Sequence, residues 1–131
     1  MAGASTTIVK ARDYNEELGR FRYEITWLAD DATGAVDPID IPGVDAFLTL
    51  VVTDPGATAP TTLYDITLND EYGVDVMGGA LVDRSATATE QAMPLIAGCP
   101  VPRVVDGPLT FALTGNSINS AIGKCYVHFQ K

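Results

Sequence analysis

Apolar and polar residues alternate along much of this chain. Phe21, Tyr23, Ile25 and Trp27 fall on one side of a period of two, with Arg20, Arg22, Glu24 and Thr26 on the other. Leu109, Phe111 and Leu113 alternate with Thr110, Ala112 and Thr114, and Cys125, Val127 and Phe129 with Lys124, Tyr126, His128 and Gln130. Successive side chains of a strand point to opposite faces, so these runs predict strands with one face on a core and the other in solvent. Residues 47–52 are apolar on both faces, which predicts a central strand or one whose outer face a partner covers. Further strands are predicted at 6–10, 63–68 and 74–77, the last two joined by the turn Asn69-Asp70-Glu71-Tyr72-Gly73, where Gly73 can take a positive φ.

Gly and Pro punctuate the chain at 30–43 (Gly34, Pro38, Pro42, Gly43) and at 54–60 (Pro55, Gly56, Pro60), which predicts loops there. Thr87-Ala88-Thr89-Glu90 matches a capping box, and Pro94 would limit any helix that follows to about two turns. Short strands between turn residues predict an all-β, antiparallel β-sandwich or jelly-roll-like small barrel with at most one short helix. No internal repeat or linker interrupts it, so one domain over residues 1–131 is expected. Its expected core is Tyr23, Ile25, Trp27, Leu48, Leu50, Ile66, Leu68, Leu109, Phe111, Leu113, Val127 and Phe129. Phe47, Val51 and Tyr126 are expected to face outward, as an interface patch if they are neighbours in space.

Composition narrows the function classes. Eight Lys and Arg against 17 Asp and Glu give a net charge of −9, which disfavours nucleic acid and anionic membranes and suits a partner with basic patches. The start, Met1-Ala2-Gly3-Ala4-Ser5, lacks the basic and apolar regions of a signal peptide, so synthesis in the cytoplasm without export is expected. No apolar run approaches the roughly 20 residues of a membrane span. Cys99 and Cys125 are expected as thiols, Cys125 buried beside Val127 and Phe129 and Cys99 accessible in Gly98-Cys99-Pro100.

Candidate chemistry is thin. The single histidine, His128, is expected on a solvent face, away from any nucleophile. Gly115-Asn116-Ser117-Ile118-Asn119 lacks the second glycine of a serine elbow and reads as a polar turn. Met77-Gly78-Gly79-Ala80 matches neither a dinucleotide nor a phosphate-loop motif and reads as a bend. Asp65, Asp70, Glu71 and Asp75 are oxygen donors in the right neighbourhood for calcium, but their spacing misses the calcium-loop pattern. A carboxylate pair for glycoside hydrolysis would need a cleft with exposed aromatics, and Trp27 is expected in the core. No catalytic, cofactor-binding or metal-ligating residue is assigned.

Asp54-Pro55-Gly56-Ala57-Thr58-Ala59-Pro60, Leu63-Tyr64-Asp65-Ile66-Thr67-Leu68-Asn69-Asp70, Gly73-Val74-Asp75-Val76-Met77-Gly78-Gly79-Ala80, Asp83-Arg84-Ser85, Pro108-Leu109-Thr110 and Ser120-Ala121-Ile122-Gly123-Lys124 together resemble a group of small tailed-bacteriophage virion proteins. The likeness spans roughly the last two-thirds of the chain and consists of turns and strand faces. It implies a β-rich structural protein located on the capsid exterior, a decoration or cement protein that binds the major capsid protein, as a homotrimer or homodimer. The alternatives are a tail, neck or head-completion protein and a carbohydrate-binding module, with a hydrolase last.

Overall fold

The computed structural model describes residues 6–15 and 17–131. The chain is all-β and antiparallel, with one curled main sheet that forms a half-barrel. Its strands are β1 (Thr6–Asn15), β2 (Arg20–Leu28), β3 (Ile39–Pro55), β4 (Asp65–Asn69), β5 (Glu90–Ala92), β6 (Leu95–Ile96), β7 (Cys99–Pro100), β8 (Arg103–Thr114) and β9 (Ile122–Gln130). The main sheet runs β1-β2-β9-β3-β8-β4, β5 adds to β3, and β6 and β7 form a separate hairpin. That hairpin turns on Ala97 and Gly98, both at positive φ, as a two-residue turn matched to strand twist requires.

Strand β3 organises the sheet. Its first half pairs with β8, from Ile39 opposite Phe111 to Leu48 opposite Arg103, and its second half pairs with β9, from Phe47 opposite Gln130 to Pro55 opposite Gly123. The strand therefore begins inside the loop expected at 30–43 and runs into the one expected at 54–60. Its prolines are tolerated because Pro42 lies in a bulge, between the pairs Ile41–Leu109 and Val44–Gly107, and Pro55 ends the strand.

Burial follows the alternation on β2, β4, β8 and β9. Ile25, Trp27, Ile66, Leu68, Leu109, Phe111, Leu113, Val127 and Phe129 are all buried on the inner face. Tyr23 is only half-buried, because it lies toward the open end, where it meets Phe21 and Phe129 edge-on at 6.0 and 5.9 Å between ring centroids. Gly123 faces Trp27 across the β2–β9 ladder, and the indole occupies its side-chain space: a Cβ there would sit 2.4 Å from Cζ2.

The facing of β3 departs from the expectation in its second half. Leu48 opposes Phe129 and Leu50 opposes His128, so Thr49 is an extra residue, a bulge whose hydroxyl donates to the His128 carbonyl at 3.2 Å. An extra residue shifts the phase of a period of two. Val51 and Thr53 therefore join Leu48 in the core, and Leu50 is half-buried.

A further part of the core comes from an irregular flap, residues 70–102, that lies along β4. Its Val76, Met77 and Leu81 are buried with Tyr64, and the Leu81 and Met77 carbonyls accept from Ile66 and Leu95 at 2.9 and 3.1 Å. The strand expected at 74–77 is instead one bridge, Asn69–Asp75, followed by turns. Nor is 87–90 helical: the Ser85 hydroxyl accepts from the amides of Thr87 and Ala88, the Glu90 carboxylate accepts from that of Ser85 at 2.6 Å, and Glu90 already begins β5. The polar residues that suggested a cap do cap backbone donors, but of a loop. Among the described residues there is no helix, and so none long and apolar enough to cross a membrane.

Candidate functional site: the outer face of the sheet

Each residue flagged by the sequence has a definite place. The carboxylates of the 65–75 region serve the backbone. Asp75 accepts from Leu68 and Met77 through Oδ1, both at 3.1 Å, and from Gly79 through Oδ2 at 3.0 Å. Asp70 accepts from Tyr72 and Val74, and Asp65 from Asp83. These bonds satisfy amides that a turn-rich segment leaves without ladder partners. Among the described residues, no three His, Cys, Asp or Glu side chains converge as metal ligands would.

Gly78 and Gly79 sit at φ of 61° and 84°, and Gly78 presses on the Leu95 carbonyl, so this pair makes a bend. Ser117 is tied to Thr61, with its hydroxyl 3.2 Å from Thr61 Oγ1, and Asn116 binds the Thr61 amide and the Gly34 carbonyl, joining three loops. His128 lies toward the other end of β9, six residues and roughly 20 Å from Ile122. The two cysteines are free, Cys99 exposed and Cys125 buried, and burial pushes the Cys125 thiol up to about 12.

The three expected interface residues do not form one patch. Phe47 faces outward, 44% exposed. Val51 does not, because the Thr49 bulge turns it fully into the core. Tyr126 is half-buried, with the Arg22 guanidinium 4.8 Å above its ring centroid. It pairs with Val52, whereas Phe47 pairs with Gln130, four residues and roughly 13 Å along β9. Phe47 instead has Val104 directly opposite on β8, 65% exposed. Val104 escaped the sequence reading because Val104 and Val105 are adjacent, and only one of them can face inward.

Two features flank this apolar pair. Next along the strands, Asp45 opposes Asp106, both exposed. Beside them β8 loses its strand partner, since β4 pairs only as far as Thr110. The turn after β4 fills part of that gap, with the Glu71 carboxylate 3.8 Å from where a Gly107 Cβ would be. Tyr72 projects from this turn, 82% exposed. The neighbouring Glu71 charge and hydrogen bond, then the charges of Asp106 and Asp70, hold its phenol above the ordinary tyrosine range.

Toward the β2 side the same outer face changes character. Arg20, Phe21, Arg22, Thr49, Leu50, His128 and Phe129 line a hollow of about 400 Å³ that opens where the bulge interrupts the ladder. None of these residues is acidic. One position further, Glu24 is buried on the outer face, and its carboxylate meets Lys124 Nζ at 3.0 Å. The chain matches no known family model and no characterised protein sequence.

Proposed function

We propose that this protein is a structural component of a tailed-phage particle that decorates the outer capsid lattice and stabilises it by bridging copies of the major capsid protein. The observation that carries the reading is the Phe47–Val104 pair: two large apolar side chains side by side on the outer face, beside the open stretch of β8. Like charges directly opposite on neighbouring strands destabilise a sheet. The Asp45–Asp106 pair next to Phe47–Val104 therefore suits a partner surface with an apolar centre and a basic rim. The likeness to small virion proteins supports the location. A protein that binds the closed lattice better than the loosened one stabilises it by that difference, and many copies add their effects.

The test is to add the purified protein to particles that lack it, image them, and challenge them with heat. Copies at regular positions on the shell and a raised disruption temperature are expected. Phe47→Asp with Val104→Asp should abolish binding while leaving the fold intact. Finding the protein only at the neck or tail would replace decoration with the runner-up role.

A further inference from the structure

Charge is divided unevenly along this chain. Residues 1–28 and 122–131, which hold β1, β2 and β9, contain six cations (Lys10, Arg12, Arg20, Arg22, Lys124 and Lys131) against four carboxylates, a net +2. Residues 29–121 contain two cations against thirteen carboxylates, a net −11. The two segments meet where β3 pairs with β9, but the cationic hollow and the acidic turn lie apart. Arg20, Gln130, Phe47 and Val104 are successive cross-strand partners on β2, β9, β3 and β8. Three strand spacings, roughly 14 Å, thus separate the cationic hollow from the strand beside the acidic turn.

The two ends differ in form as well as charge, one a hollow and the other a projecting tip. The hollow offers the guanidinium-bearing Arg20 and Arg22, His128, and apolar surface from Leu50, in a volume that accommodates an aromatic side chain. Opposite it in the row, the Asp70–Gly73 turn presents an exposed phenol flanked by Glu71 and Asp106. Its shape is fixed in advance, because Asp70 accepts from the Tyr72 and Val74 amides at 2.9 and 3.0 Å. A preformed tip loses little freedom on docking. Arginine suits such a partner, since its planar cation both pairs with carboxylates and stacks on aromatic rings.

We propose that the Glu71–Tyr72 turn of one copy docks in the Arg20–Arg22–His128 hollow of a second copy. The contact is head-to-tail, with different surfaces on each side, so it closes into a ring or continues as a filament according to the rotation per step. It needs no capsid, and its test is independent of the decoration reading.

Sedimentation of the full chain from about 5 to about 500 µM in about 50 mM salt should show an average mass that climbs above the monomer with concentration. Raising salt to about 0.5 M should weaken association at least several-fold, because much of the attraction is between exposed charges. Arg20→Glu, at an exposed position, and Glu71→Lys with Tyr72→Ser, in an exposed turn, should each weaken it by about tenfold or more with unchanged circular dichroism.

The decisive arm mixes those two variants. One retains an intact turn and the other an intact hollow, so the mixture should form one-to-one dimers and nothing larger. A wild-type chain that stays monomeric throughout, variants that associate like wild type, or a mixture that stays monomeric would each overturn the proposal. So would a monomeric wild type whose hollow binds inorganic phosphate or a poly-glutamate peptide, which would assign the hollow to another anionic ligand.

Discussion

The sheet and the flap bury side chains equally well by different means. In the sheet, hydrogen bonding and burial are separate tasks: ladders satisfy the backbone, and the period of two sends Ile25, Trp27, Phe111 and Phe129 inward. The flap has only short ladders, β5 on β3 and the β6–β7 hairpin. Side chains must satisfy its amides while Val76, Met77 and Leu81 fill the core, and Asp75 alone accepts from two of them and from Leu68 of β4. A sheet stores its fold in a repeating pattern, whereas the flap stores it in a few particular carboxylates.

The largest expected effect tests the sheet. Trp27→Ala or Phe111→Ala should lower stability by about 3–5 kcal/mol, read from urea unfolding, since each empties a fully buried site. An unchanged midpoint for both would mean that the inner face is assigned wrongly. Asp75→Ala tests the flap in turn and should cost about 2–3 kcal/mol, by stranding amides that the carboxylate now serves. The comparison sharpens if limited proteolysis of that variant cuts first within 70–82 while the strands remain protected; simultaneous loss of both would show one cooperative unit.

Gly123→Ala probes close packing within the ladder. The added methyl meets the Trp27 indole, and about 1–2 kcal/mol should be lost, with a change in tryptophan fluorescence.

The remaining effect is confined to alkaline pH and is absent near neutrality. Burial raises Cys125 from 9.0 to about 12 and, as the first of several causes, Tyr64 from 10.0 to about 12. Both groups stay neutral in the folded protein and ionise more readily when it unfolds. Their contribution is complete below about pH 9 and declines as pH rises toward 12. Cys125→Ala should flatten the onset of that decline, and in the native protein near neutral pH only Cys99 should react with a thiol reagent.

What could be read beforehand follows the same division. Alternation placed Ile25, Trp27, Leu109, Phe111, Val127 and Phe129 correctly because each strand holds its phase from end to end. It failed at Val51, since the Thr49 bulge adds one residue and nothing in the local composition announces it. Asp70 and Asp75 were visible as a cluster of carboxylates, but their roles depend on which amides the fold leaves without partners. The candidate interface was half legible. Phe47 stands out in an apolar run, whereas Val104, Tyr72 and the Arg20–His128 hollow acquire meaning only once β2, β9, β3 and β8 lie side by side.

The position of β9 has a consequence for how the chain is made. Last in chain order, it lies between β2 and β3, and Phe47 finds Gln130 only after 82 intervening residues have been synthesised. A nascent chain halted before Ile122 would hold two part-sheets, β1–β2 and β3–β8–β4, each with a long unpaired edge where β9 belongs. Such edges invite pairing with other chains, and sheets built from distant partners form slowly. The sheet therefore closes only once β9 is available, with β9 acting as the closing strand and its late arrival setting the interval in which the chain is most prone to aggregate.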